Sequence, residues 1–234
     1  MDVKLFTKKA LFMVKQFLAP RPGFHSYSQI GEDVMLLGFL GTNRFAGTHG
    51  FWVDIGAHHP TRYSNTKLYS LAGWRGINVD ASSDAIALFN RQRKRDINVN
   101  VGIGKEEGVL DYYRLSSSAM NTFSKKFADE AIAAGKKLIE VVKVPVITMK
   151  TLLDKYLPKG QAIDFMTIDC EGLDLEILES NDWSQYRPEY ILLEIHMGGA
   201  NWKVCETPAA RYLKDQGYEH VGQCAVTSLF KRVR

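Results

Sequence analysis

The sequence contains few cysteines, and their spacing is not typical of a metal site or a disulfide framework. Only Cys170, Cys205 and Cys224 occur, and no Cys-x-x-Cys or His-x-x-x-His pattern is present. This argues against a structural zinc site. An odd number of cysteines without a secretory signal favours a reducing compartment. We therefore expect a cytoplasmic protein.

Long apolar runs and a strong excess of one charge are also missing. No apolar run approaches the roughly 20 residues that a membrane-spanning helix requires. The 30 Lys and Arg residues only slightly exceed the 26 Asp and Glu residues, whereas nucleic-acid-binding domains concentrate basic residues on one face. The densest basic run, Arg91–Arg95, is interpreted as a solvated helix end. We expect no nucleic-acid partner.

The N-terminus carries an amphipathic pattern that differs from the rest of the chain. Residues 2–19 place apolar side chains at helical spacing beside several lysines, and Pro20 and Pro22 end this helix. We assign residues 1–24 to this helix and its linker, and residues 25–234 to one domain. The helix is predicted either to make peripheral contact with an anionic membrane, or to pack on the main domain or on a second subunit of a homo-oligomer.

From residue 51 onward, apolar strands alternate with helices. The predicted strands are Phe51–Ile55, Gly76–Asp80, Ile97–Val101, Ile163–Asp169 and Glu189–Ile195. The predicted helices between and after them are Ser64–Leu71, Ser83–Arg93, Met149–Tyr156, Asp174–Glu179 and Pro208–Gln216. Strands that are almost entirely apolar are typical of a parallel sheet covered on both faces.

The end of the chain distinguishes between α/β classes. Tyr218–Val221 and Ala225–Lys231 are predicted to form a hairpin that turns through Gly222-Gln223. Such a hairpin on an alternating sheet is typical of the Rossmann-like class I S-adenosylmethionine methyltransferases rather than of dehydrogenases. We therefore predict an α/β fold with a doubly wound, mostly parallel seven-stranded sheet. Residues 108–147 interrupt the alternation with two strands and a helix, and are predicted to form a cap over the acceptor.

Two strand ends carry the residues expected to bind a cofactor. Asp54-Ile-Gly56 follows the first strand, but the next residues, Ala57, His58, His59 and Pro60, lack the later glycines of a dinucleotide fingerprint. A cofactor without phosphates does not need them. Gly56 lets the loop pass close to a ligand, and Asp54 is predicted to hold loop amides or an ammonium group. Asp80 ends the second strand and is predicted to accept both hydroxyls of a ribose, with Ala81 beside it and Val101-Gly102 bordering the adenine.

The chain resembles the FkbM family of S-adenosylmethionine-dependent methyltransferases. The resemblance covers residues 27 to about 196 and rests on ordered motifs: Tyr27-Ser-Gln-Ile-Gly-Glu-Asp33, Val53-Asp-Ile-Gly-Ala-His58, Ser64-Asn-Thr66, Gly73-Trp-Arg-Gly-Ile-Asn-Val-Asp80 and Ile163-Asp-Phe-Met-Thr-Ile-Asp-Cys-Glu-Gly172. It implies S-adenosylmethionine as cofactor and transfer of a methyl group to a hydroxyl of a sugar, glycan or natural product. It does not transfer an acceptor from one member to another.

Further site residues follow from the resemblance and from strand geometry. The family pattern places Gln29 over the cofactor pocket, where it is predicted to bind the methionine carboxylate, and Asn65 is predicted to hold the same group or to cap a helix. Glu194 and His196 project to one side of their strand, because strand side chains alternate. His196 is the first choice of general base, with Glu194 and Asp169 beside it. Asp169 is also predicted to contact the cofactor, because it ends its strand beside the reactive methyl group. His58 and His59 are second choices.

Several alternatives stay open at this point. Asp169, Glu171 and Glu194 are also interpreted as ligands of a divalent metal such as Mg²⁺, which would acidify a sugar diol. The acceptor is alternatively a protein or a lipid-linked group. A different class of function is a non-catalytic protein that keeps the methyltransferase fold and serves as a scaffold in glycan assembly.

Overall fold

The computed structural model of the chain describes residues 25–47, 49–195 and 201–233, with backbone alone for residues 201–203. The predicted helix within residues 1–24 therefore lies outside the described residues, and so does His196. Within the described ranges, no helix combines the length and the hydropathy needed to span a bilayer.

The described residues form two sheets from ten strands. The strands are β1 (Phe51–Ile55), β2 (Arg75–Asp80), β3 (Ile97–Asn100), β4 (Gly102–Ile103), β5 (Gly108–Leu115), β6 (Leu138–Ile147), β7 (Phe165–Ile168), β8 (Tyr190–Glu194), β9 (Tyr218–Cys224) and β10 (Thr227–Arg232). The main sheet has seven strands in the order β3-β2-β1-β7-β8-β10-β9. Its first five strands are parallel, and β10 is antiparallel to both of its neighbours. The predicted fold class is confirmed.

Helices cover both faces of the main sheet. The helices of the described residues are α1 (Glu32–Leu40), α2 (Thr42–Gly47), α3 (Lys67–Leu71), α4 (Ser83–Gln92), α5 (Lys125–Ala133), α6 (Met149–Tyr156), α7 (Asp174–Glu179) and α8 (Pro208–Asp215). Among them, α5 packs on β5 of the inserted segment. Helices α1, α2 and α3 pack with Trp52, Phe165 and Leu192 on one face. Helices α6, α7 and α8 pack on the other, where Val53 and Met166 point because side chains alternate along a strand.

Hydroxyl side chains determine where four of these helices begin. Ser82, Ser124, Thr148 and Thr207 each accept a hydrogen bond from the amide three residues later. Such caps satisfy an amide that the first turn of a helix leaves without a partner. Helix α5 ends at Ala133, because Gly135 takes a left-handed conformation (φ 91°) and leads the chain into β6.

The second sheet contains the inserted segment and has the order β4-β6-β5. Strand β6 pairs in antiparallel fashion with β5 and in parallel fashion with β4. Because β4 follows β3 after a single residue, this small sheet is attached at the carboxyl end of β3. The insertion therefore lies at the edge of the main sheet where its parallel strands end.

The predicted turn of the C-terminal hairpin is wrong. Gly222 and Gln223 belong to β9, and the chain turns at Ala225 and Val226. A Cβ atom at Gly222 would lie 3.2 Å from Cε2 of Phe39 and 3.4 Å from Sδ of Met35. This glycine allows α1 to pack closely against β9 and does not mark the turn.

Candidate active site

The carboxyl ends of β1, β2 and β7 open into one cavity. Seven of the residues predicted to bind a cofactor line its wall: Gly56, His58, Asp80, Ala81, Val101, Gly102 and Asp169. Glu171 lines it as well. These residues are distant in the sequence and meet because parallel strands of a doubly wound sheet end at the same edge, on either side of the point where the strand order reverses.

Asp80 is held by backbone amides at the end of β2. Its Oδ2 accepts a hydrogen bond from the His58 amide at 2.8 Å, and its Oδ1 accepts one from the Ser82 amide at 2.7 Å. The side chain is buried, and this burial raises the pKa of the carboxyl to about 6, although both amide bonds oppose the increase. A carboxylate oxygen accepts more than one hydrogen bond, so both oxygens keep capacity for a ligand hydroxyl.

The loop after β1 is held close to the end of β2 by backbone hydrogen bonds. The amides of Gly56 and Ala57 both donate to the Val79 carbonyl at 3.0 Å. Gly56 has a φ of 81°, and a Cβ atom there would lie 1.9 Å from the carbonyl oxygen of Asp169. His58, with a φ of 51°, also takes a left-handed conformation. Only glycine fits the first of these positions, since the ends of β1 and β7 meet there.

Four other predicted cofactor residues do not line the cavity. Asp54 is buried beneath it and accepts a hydrogen bond from Thr66 Oγ1 at 3.1 Å. Its burial raises the pKa of the carboxyl to about 7, even though the charge of Arg93 lowers it.

The other three residues are Asn65, Ala57 and Gln29. The side-chain amide of Asn65 donates from Nδ2 to Thr167 Oγ1 at 3.0 Å. Ala57 is buried under the loop, and Gln29 is exposed in the turn before α1. Their contact with a cofactor stays a prediction.

Three carboxylates converge beside the cavity. One oxygen each of Asp169, Glu171 and Glu194 lies within 4.8 Å of the other two. Burial raises the pKa of Asp169 well above its ordinary value, and a hydrogen bond shared with Glu194 and the neighbouring negative charges add to the increase. Two carboxylates this close disfavour each other's charge, so the protonated form of Asp169 is favoured relative to that of an isolated aspartate. The arrangement suits either a proton acceptor or the binding of a divalent cation.

The turn that carries Asp169 and Glu171 is held by Asp174. Its carboxylate accepts hydrogen bonds from the amides of Cys170 at 3.0 Å and Gly172 at 3.3 Å. Glu171 takes a left-handed conformation with a φ of 50°. A non-glycine residue keeps such a conformation only where its surroundings impose it, and these residues concentrate at functional sites.

The inserted segment forms one wall of the same cavity. Its contribution is Tyr112, Arg114, Ser118, Ala119, Asn121, Thr122 and Phe123. Phe123 packs against Tyr112, with ring centroids 4.8 Å apart, and covers Gly102, where a Cβ atom would lie 2.5 Å from Phe123 Cζ. Thr122 Oγ1 donates to the Glu171 carbonyl at 3.1 Å. The insertion thus encloses the region that the sequence predicts for the adenine.

Arg93 was not among the residues predicted for the site. It belongs to the basic run predicted to be solvated, yet it is 3% exposed, so this prediction is wrong for Arg93. Its guanidinium donates to the Pro60 carbonyl from Nε at 3.1 Å and from Nη2 at 2.8 Å. Helical periodicity could have identified it, because Arg93 follows the buried Phe89 by four residues and therefore lies on the same face.

One protein family matches most of the chain. The family model of the methyltransferase FkbM domain matches residues 54–220. Among curated proteins, none matches the chain. A methyltransferase FkbM from Methylobacillus flagellatus KT is similar in structure, with a TM-score of 0.43 and 13% identity over 88% of this chain. This chain spans 48% of that protein's length. The delta-N METTL16 MTase domain has a TM-score of 0.41 and 12% identity, with 97% of this chain and 94% of that one covered.

Proposed function

The chain belongs to the FkbM methyltransferase family, and we propose that it transfers a methyl group from S-adenosylmethionine to a hydroxyl of a sugar, glycan or natural-product acceptor. The methyl-transfer chemistry follows from the family, whereas the hydroxyl acceptor is the proposal. The observation that carries it is Asp80, a buried carboxylate whose two oxygens are fixed by amides at the wall of the cavity.

The described residues fit a nucleoside without phosphates. Val79, Val101, Ile103 and Phe123 give the cavity an apolar side suited to a base, and Asp80 supplies the acceptors that two ribose hydroxyls need. His58 Nδ1 is buried and has no hydrogen-bond partner among the described residues. A buried nitrogen of this kind is costly unless a ligand satisfies it. S-adenosylmethionine supplies, when bound, a methyl group made electrophilic by the neighbouring sulfonium charge.

The chain itself must align the acceptor and take its proton. Alignment of two reacting groups contributes several kcal/mol, and a positioned base adds about 10²–10⁴-fold in rate. Glu194 and Asp169 lie at adjacent strand ends, and we propose that they orient the acceptor hydroxyl. We propose His196, two residues beyond Glu194, as the base, since an imidazole titrates near neutral pH.

A second arrangement uses the carboxylate cluster to hold Mg²⁺. Asp169, Glu171 and Glu194 are hard oxygen donors of the kind that this ion prefers. The ion would bind a diol of the acceptor and lower the pKa of its hydroxyl. If this arrangement is correct, we expect ethylenediaminetetraacetate to abolish turnover and added Mg²⁺ to restore it. Turnover that is unchanged by the chelator would leave the proton-acceptor arrangement alone.

Other features belong to the same proposal. We propose a cytoplasmic location and a small-molecule or glycan acceptor, with no nucleic-acid partner. Peripheral membrane contact through residues 1–24 and self-association are further proposals that follow from the amphipathic pattern of that segment. A protein or lipid-linked acceptor is the alternative substrate, and a glycan-assembly scaffold is the alternative function.

Calorimetric titration with S-adenosylhomocysteine tests the cofactor site. We expect the wild-type protein to bind in the micromolar range and Asp80→Ala to weaken binding by about 100-fold, because two hydrogen bonds to a charged group are lost. Asp111→Ala is the matched control, since Asp111 pairs with Lys143 on the inserted sheet and does not line the cavity. Unchanged affinity in Asp80→Ala would refute the ribose assignment. No binding by the wild type would favour the scaffold.

A further inference from the structure

Residues 58–63, here called the 58–63 loop, have an unusual backbone beside the cavity. His58 and Tyr63, at the two ends of the loop, are both left-handed, with φ values of 51° and 53°. Neither is a glycine, so each conformation costs free energy. Such a cost persists only where the rest of the structure imposes it, and it points to a geometry that the protein uses.

The conformation of the 58–63 loop is imposed by three sets of hydrogen bonds. The His58 amide donates to the buried carboxylate of Asp80 at 2.8 Å. In the middle of the loop, the guanidinium of Arg93 holds the Pro60 carbonyl with two hydrogen bonds. His59 Nδ1 accepts the amides of Thr61 and Arg62, each at 3.1 Å. The loop is therefore preorganised before any ligand arrives.

The 58–63 loop presents hydrogen-bond donors and an aromatic ring. Because His59 Nδ1 accepts two amides, the neutral imidazole carries its proton on Nε2 and is a donor. Arg62 is exposed and lines the cavity together with His58 and His59. Tyr63 is 58% exposed, and its ring stacks on His58 with centroids 6.3 Å apart and an interplanar angle of 17°.

Arg62 differs from the other arginine at the cavity wall. Arg114 forms ion pairs with Asp84 at 2.8 Å and Glu140 at 2.6 Å, so its charge is already compensated. Arg62 has no carboxylate within 4.0 Å in the part of the chain that the structure describes. An uncompensated guanidinium beside an exposed aromatic ring suits a ligand that combines an anionic group with a ring.

We propose that Arg62 and Tyr63, at the far end of the 58–63 loop from His58, form the acceptor subsite and select a sugar bearing a carboxylate or a phosphate. Arg62, at the wall of the cavity that also contains Asp80 and Asp169, binds the anionic group, and Tyr63, the exposed residue next to it, stacks on the sugar ring. The inference rests on the proposed function, because it names the class of acceptor for that same site. A guanidinium binds either anion through a fork of parallel donors.

Binding of simple sugars tests the subsite directly. Glucuronate, glucose 1-phosphate and glucose are titrated into the protein, with and without S-adenosylhomocysteine. We expect at least one anionic sugar to bind about tenfold or more tightly than glucose, as one charge-assisted contact allows. The tighter of the two anions identifies the carboxylate or the phosphate as the source. Arg62→Gln should abolish this preference. Tyr63→Ala should weaken all three sugars alike.

The control is Arg75→Gln, which removes the same charge from an exposed arginine at the amino end of β2, away from the cavity. This variant should keep the preference for the anionic sugar over glucose.

The titrations have outcomes that overturn the proposal. These are no preference for an anionic sugar in the wild type, or a preference that survives Arg62→Gln. Loss of S-adenosylhomocysteine affinity in Arg62→Gln with the sugar preference intact would instead assign Arg62 to the cofactor carboxylate. Failure of S-adenosylhomocysteine to bind the wild type would contradict the proposed function, while the titrations without it still test the subsite.

Discussion

Gly56 is the single residue on which the geometry of the site depends most directly. Its φ of 81° and the Asp169 carbonyl, 1.9 Å from the position of a Cβ atom, are separate reasons why no side chain fits. We expect Gly56→Ala to lower the free energy of unfolding by about 3 kcal/mol or more, since a backbone strain and a steric clash are combined. Denaturant unfolding measures this loss, and S-adenosylhomocysteine affinity should fall with it because the end of β7 must move.

Gly160→Ala separates the clash from the strain. Gly160 has a similar φ of 75°, but a Cβ atom there would meet nothing within 4 Å. This variant should cost only about 1 kcal/mol, the price of a left-handed conformation for alanine. Equal losses in the two variants would show that the contact with Asp169 does not constrain the loop.

At the same scale, the sequence pattern identified Gly56 and Asp80, which line the cavity, but it did not identify the residues that contact them. Gly56 and Asp80 follow apolar strands and could be recognised from that position alone. The expected reason for Gly56 was close approach to a ligand, whereas the structure places the Asp169 carbonyl against it. That contact joins two strands far apart in the chain, so no local pattern contains it. His196 itself lies outside the described residues.

At the scale of an element, the end of α4 supports the 58–63 loop and the start of α3 through Arg93. Its Nη2 donates to Ser64 Oγ at 3.1 Å and to Thr66 Oγ1 at 3.3 Å, in addition to the Pro60 carbonyl. We expect Arg93→Met to destabilise the protein by about 3–5 kcal/mol, because Asp96 would be left as an uncompensated buried charge. Thermal and denaturant unfolding measure the effect.

Arg91→Met is the matched control for this element. Arg91 lies in the last turn of α4, two residues before Arg93, and is exposed. Its replacement should therefore change the free energy of unfolding by no more than about 0.5 kcal/mol. An equally small effect of Arg93→Met would mean that the basic run is solvated throughout, as the sequence pattern predicts.

Elements with strong local patterns were predicted with accurate bounds, whereas the irregular segments were not. The structure has β1, α6 and α7 at the predicted residues, because an apolar run or a helical period defines each of them. Helix α3 begins at Lys67 instead of the predicted Ser64. The reason is tertiary, since the Ser64 hydroxyl binds Arg93 and does not cap the helix. Contacts of this kind override local propensity.

For the whole molecule, the topology gathers buried carboxyls at one edge of the sheet. Burial is the largest cause that raises the pKa of Asp54 to about 7 and the pKa values of Asp80 and Asp174 to about 6. The alternation of strands and helices was enough to predict this sheet and the edge at which its parallel strands end. The degree of burial was not predictable, because it depends on the packing of the inserted segment and the loops over the strand ends.

This concentration of buried acids predicts an inverted pH dependence of stability. The folded pKa of Asp54, about 7, exceeds its ordinary value of 3.8, so the native state binds more protons between these limits. The contribution of Asp54 is therefore fully present below pH 3.8 and is lost as the pH rises through about 7. One such group changes the free energy of unfolding by at most about 1.4 kcal/mol per pH unit.

Comparison of variants isolates this term from the histidines, since His58, His59 and His220 have lowered pKa values and act with the opposite sign. We expect Asp54→Asn to gain stability relative to the wild type as the pH rises from about 5 to 7, as measured by urea unfolding at each pH.

Asp154→Asn is the control for this prediction. The Lys150 ammonium and the Tyr186 hydroxyl lower the pKa of Asp154, so its contribution is lost only in acid and its difference from the wild type should stay constant over this range. A constant difference for Asp54→Asn as well would show that Asp54 is already ionised in the folded protein, with Arg93 as its effective counter-charge.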